Sequence, residues 1–105
     1  MSKSISIFLI RYYWMIAKTE REFQILRNSL ERELKLIEYS IQKTTEKLKD
    51  FEKKHGISSE EFHKKFEKGE IGDSQEFMLW ASEFEALELL KKDRDAIIRM
   101  LKLCR

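Results

Sequence analysis

The chain contains no proline, and its three glycines all fall between positions 56 and 72. Turns draw on those two residues above all, so 105 residues built this way carry punctuation for about one bend. A multi-stranded β architecture needs many more. What remains is an all-α protein of a few long helices, and the length allows one domain. Apolar residues make up 42% of the chain, too many for a disordered polyampholyte, so a core must exist.

Charge narrows the function classes. The 21 Lys+Arg and 19 Asp+Glu are interleaved and leave a net charge of only +2. No strongly basic field is available to hold a phosphate backbone, so there is no strong nucleic-acid signal. The single Cys104 cannot form an internal disulfide, which points to an intracellular, cytoplasmic chain with a free thiol of no evident role.

Residues 1–17 form an apolar leader distinct from residues 18–105, the single helical domain. Its core, Ile5 to Ala17, is too short to cross a bilayer: 13 helical residues span about 20 Å, against roughly 30 Å of hydrocarbon. No small-residue cleavage site follows Tyr12-Tyr13-Trp14. Three readings stand open: a segment buried against the bundle or a second protomer, membrane-interface contact through residues 5–17, or an upstream start with Met15 as the natural first residue.

From Lys18 the pattern is helical. Phe23, Leu26, Leu30, Leu34, Ile37, Ile41, Leu48 and Phe51 recur in steps of three and four, with Thr44 filling one gap, as in a coiled-coil seam with a stutter near Leu30. The helix is expected to run to about Lys54, with Lys53, Lys54 and His55 favourably placed at its C-terminal dipole and Gly56 at C′. A bend over 55–73 follows. Ser58 and Glu61 make a capping box, flanked by Ile57 and Phe62 at the staple positions. The short middle helix carries Phe62 and Phe66 on one face and ends at Gly69. Asp73 is expected to cap a third helix directly after Gly72, whose place before the cap suggests a positive φ.

The third helix shows Phe77, Trp80, Phe84, Leu87, Leu90, Ile97 and Leu101 along one face. Its charge is graded: five acids and no base from Asp73 to Glu88, then six bases and two acids from Leu89 to Arg105, as the helix dipole prefers. Folding the chain back gives an antiparallel long-helix hairpin, coiled-coil-like, with a short middle helix. Counting seams outward from the bend pairs Phe51 with Phe77, Leu48 with Trp80, Thr44 with Phe84, Ile41 with Leu87 and Leu30 with Ile97. Two helices leave open flanks, and Ile25, Leu36, Tyr39, Leu79 and Met100 lie towards them, so a bundle completed by homo-oligomerisation is expected.

The signals for chemistry are few. His55 and His63 lie across a helix break with no zinc-ligand spacing and read as surface or capping residues, so no metal is expected. No carboxylate sits in an identifiable apolar pocket and no glycine-rich phosphate loop is present, so no catalytic residue and no cofactor are expected. Trp80 at helical spacing reads as core before it reads as a ligand platform.

The run His55-Gly56-Ile57-Ser58-Ser59-Glu60-Glu61-Phe62, then Phe66-Glu67-Lys68-Gly69-Glu70-Ile71-Gly72-Asp73-Ser74, Glu76-Phe77 and Trp80-Ala81, resembles a group of small helical archaeal and bacterial proteins described as antitoxins and encoded beside a small toxin gene. The resemblance covers about residues 47–103. It implies a non-enzymatic protein–protein interaction module that neutralises a cognate toxin by direct binding. The partner surface expected for such a module is the acidic first half of the third helix, with Glu76, Leu79, Glu83, Glu85 and Ala86. The alternatives are a self-associating structural or adaptor coiled coil, and a nucleic-acid-binding autoregulator using Lys47, Lys49, Lys53 and Lys54. The last is weakened by the interleaved Glu46, Asp50 and Glu52.

Overall fold

The computed structural model describes the backbone of residues 2–104 and the side chains from Thr19 to Cys104. Three helices follow one another: α1 (Ser2–His55), α2 (Ser59–Glu67) and α3 (Gln75–Leu103). No strand occurs among the described residues, and the two long helices pack antiparallel with the short one across their closed end. The expected hairpin is therefore the fold. Among the described residues no helix is long and apolar enough to cross a membrane. The leader's backbone continues α1, while its side chains, on which the three readings of that segment turn, lie outside the described residues.

Residues 18–55, free of glycine and proline and rich in Leu, Glu and Lys, form an uninterrupted length of α1. Gly56 ends it with φ +73° and an amide donating to the Glu52 carbonyl at 2.8 Å. In α2, the Ser58 hydroxyl accepts from the Glu61 amide at 3.1 Å, as the capping box requires. The return arm differs from expectation. The Glu61 carboxylate stands 3.9 Å from Lys65, and Glu52 of α1 instead accepts the amide of the buried Ser59 at 2.8 Å. A carboxylate from the preceding helix thus helps to cap the next one. Gly69 (φ +71°) closes α2 in a Schellman motif: its amide donates to Phe66 and that of Glu70 donates to Lys65.

Two expectations at the start of α3 are corrected. Gly72 does not have a positive φ, and a Cβ built there meets open space. The N-cap is Ser74, not Asp73, with the Ser74 hydroxyl accepting from the Phe77 amide at 3.2 Å. Glu76, which a box at Asp73 would have used as its return arm, is held instead by Lys54 and His55 of α1.

The core is aromatic and gathered at the bend. Trp80 and Phe62 are fully buried, and their rings lie 3.7 Å apart between centroids and nearly parallel. Phe51 and His55 stack on Trp80 from α1, at 5.4 and 5.2 Å. The Trp80 indole N–H donates to the buried Ser59 hydroxyl at 2.9 Å. Around them pack Leu48, Ala81 and Leu87, with Ile41, Ile57, Phe66, Ile71, Phe77 and Phe84 at the margin.

Register is the third correction. Phe51 meets Trp80 rather than Phe77, and Phe77 meets His55 at 5.3 Å, so α1 pairs with α3 about three residues later than expected. Seam counting stopped at Phe51, the last apolar member. His55, four residues on, continues the seam as an aromatic and shifts the whole pairing. At the far end Arg27 donates to the Cys104 carbonyl, and Phe23 and Leu26, which precede it in the α1 seam, are half exposed. The flank residues Ile25, Leu36, Tyr39, Leu79 and Met100 are all exposed, as expected.

Ser59→Ala is expected to cost about 1–3 kcal/mol in urea unfolding, because it strands the buried indole N–H. An unchanged midpoint would mean that this hydrogen bond does not hold α2 in place. Gly69→Val is expected to cost more than about 1 kcal/mol and Gly72→Val less than about 0.5 kcal/mol, since only the first position has a left-handed backbone. Equal losses in the two variants would contradict this backbone assignment.

Candidate partner-binding groove

The bend gives the hairpin two unlike flanks. One is covered by α2. On the other, the α1–α3 crease stays open as a groove of about 330 Å³, lined by Lys47, Asp50, Phe51, Lys54, Glu76, Leu79 and Glu83. The α3 residues in it, Glu76, Leu79 and Glu83, follow steps of three and four, one stripe of the helix. Lys47 and Lys54 lie two turns apart on α1, so they edge the groove from the opposite side.

Two ion pairs bridge the crease. Lys54 Nζ lies 2.7 Å from Glu76 Oε1, and Lys47 Nζ lies 3.5 Å from Glu83 Oε1. His55 Nε2 also faces Glu76 Oε1, at 3.3 Å. Hydrogen bonding from Lys54 first, and from His55 second, holds the Glu76 carboxyl below its ordinary value of 4.5. Between the two pairs stands Leu79, 53% exposed over the apolar wall that Phe51 supplies.

Of the five expected partner residues, the fold brings Glu76, Leu79 and Glu83 together. Ala86 is exposed seven residues beyond Leu79, on the same stripe. Glu85 is not with them: its carboxylate faces His63 of α2, at 3.1 Å. Nor is the first half of α3 a free acidic face, because Glu76 and Glu83 are each matched by a lysine of α1. The same two pairs engage Lys47 and Lys54, two of the four bases a nucleic-acid interface would have used. Trp80 is fully buried and offers no platform to a ligand. Only spacing along α3 was readable beforehand; which lysines lie across the crease depends on the register.

No family model, no curated protein and no solved structure matches this chain.

Because Glu76 titrates below 4.5, its contribution to stability is fully present above that value and is lost as pH falls through the lowered pKa. An NMR titration of the Glu76 carboxyl is expected to give a midpoint below 4.5, moving upward in Lys54→Met. A midpoint at the ordinary value in the wild type would show that the pair does not persist in solution.

Proposed function

We propose that this chain is a non-enzymatic interaction module, antitoxin-like in action, which neutralises a protein partner by seating part of it in the open α1–α3 groove. The observation that supports this reading is the exposed Leu79 over Phe51, framed by two ion pairs that leave the rim polar and close to charge-balanced. An apolar anchor inside a polar rim is how protein interfaces concentrate binding energy. The fitting partner is an amphipathic helix of the toxin, its apolar stripe bordered by charges of both signs. Leu36, three turns before Lys47 on α1, and Leu90, three turns after Leu79 on α3, extend the apolar line along this flank. The resemblance of the bend residues supports a cognate toxin as the partner, and the open groove supports docking on this flank.

Self-association is the second reading, and a separate surface favours it. Phe23 and Leu26 of the α1 seam are half exposed. A second copy would bury that stretch and leave the groove free for another protein.

The adjacent gene product, expressed alone, is expected to slow growth, and co-expression of this chain to relieve it. Leu79→Glu is expected to abolish relief while circular dichroism remains unchanged, and Ala86→Glu to weaken it. A harmless neighbour overturns the antitoxin reading; full rescue by Leu79→Glu overturns the groove. Light scattering of the same proteins separates the second reading. Phe23→Glu should dissociate a homodimer that Leu79→Glu leaves intact.

A further inference from the structure

On the flank that α2 covers, three potential ligand atoms, from His63, Glu67 and Glu85, all lie within 4.8 Å of one another. His63 and Glu67 stand four residues apart on α2, so one helical turn presents both, and Glu85 reaches in from α3. His63 Nε2 lies 3.3 Å from Glu67 Oε1 and 3.1 Å from Glu85 Oε1. Its ring packs against Phe84 at 4.9 Å and is only 20% exposed, which limits how far it can turn away.

The charge around this cluster sets it apart from the groove. Glu76 and Glu83 each have a lysine partner, whereas among the described residues no lysine or arginine lies within ion-pair distance of Glu67 or Glu85. Two carboxylates therefore converge on one imidazole nitrogen, a surplus of negative charge at a point where lone pairs meet. We propose that His63, Glu67 and Glu85 form a three-ligand site for a divalent transition cation, zinc fitting best, which clamps α2 onto α3.

The donor set and the spacing both support this. Imidazole nitrogen with carboxylate oxygen suits zinc, whereas calcium and magnesium favour all-oxygen shells. Tetrahedral zinc with bonds of about 2.0–2.2 Å places neighbouring ligand atoms roughly 3.4 Å apart. The two histidine–carboxylate separations are already close to that edge length, and both carboxylates are more than half exposed, free to adjust a rotamer. A fourth, solvent-side position would be left for water. Sequence spacing could not show the site, because only His63 and Glu67 are neighbours within one helix and the third ligand comes from another.

The test uses the full chain freed of metal with a chelator and titrated with zinc chloride at about pH 7.5, above the ordinary imidazole range. Calorimetry is expected to show one zinc bound per chain, with a raised melting temperature. His63→Gln, Glu67→Gln and Glu85→Gln are each expected to weaken binding by roughly tenfold or more. Glu60→Gln, which removes an exposed carboxylate of the same helix, should leave binding unchanged, and calcium chloride should have no effect. Both carboxylates are more than half exposed, so the metal-free Glu67→Gln and Glu85→Gln variants should keep wild-type helicity. Absence of zinc heat and of any melting shift overturns the proposal, leaving His63 as a hydrogen-bond partner of two glutamates. So does wild-type affinity in the Glu85→Gln variant, or loss of binding in Glu60→Gln.

Discussion

The fold depends on the environment of one side chain. Trp80 is the point where all three helices meet: Phe51 and His55 stack on it from α1, Phe62 lies parallel to it from α2, and its indole N–H is taken by Ser59. Ser59 is in turn held by Glu52, so a hydrogen-bonded chain runs α1 to α2 to α3 through the core. An indole can be fully buried only if its N–H finds a partner, since an unpaired donor costs about 1–3 kcal/mol. That requirement fixes where α2 begins. The Schellman turn at Gly69 and the cap at Ser74 then bring the chain back so that α3 returns along α1.

Much of this architecture was legible in the sequence, because helix type, helix ends and apolar stripes are local properties. Gly56, Ser58 and Gly69 behave as their types and positions predict, and the staple of Ile57 and Phe62 sits in the core. What was misread depends on contacts across helices. His55 is an aromatic seam residue that an apolar count passes over, and omitting it shifted every interhelical pair by about three residues. Asp73 and Ser74 are both good caps by type. Ser74 is the one whose hydroxyl takes the Phe77 amide, while Lys54 and His55 hold the Glu76 carboxylate from another helix.

The groove was half legible for the same reason. Spacing along α3 placed Glu76, Leu79 and Glu83 on one stripe, but it gave no hint that Lys54 and Lys47 stand across from the two acids. Glu85 was grouped with them by charge alone. It lies six residues from Leu79, which turns it well away from Leu79's side of the helix, and α2 meets it there through His63. Acidic residues in one segment share a composition; they share a surface only when the helical period permits.

The two flanks of the hairpin follow from where α2 lies. Beside α2, the crease is filled by aromatic rings and Glu85 meets His63. Opposite, with no third helix to cover it, the same crease keeps Leu79 in solvent, and the lysine–glutamate pairs mark its edges. Those pairs lie at the surface and add little stability, since exposed ion pairs are typically worth less than about 1 kcal/mol. Their consequence is directional. Glu76 and Glu83 each have a lysine opposite, so a strongly basic or strongly acidic partner would gain little from these pairs, while the proposed partner, carrying both signs around an apolar anchor, would exchange pairs with them. On the proposed reading, shape and charge order around Leu79, rather than net charge, select the partner, consistent with a chain whose overall charge is only +2.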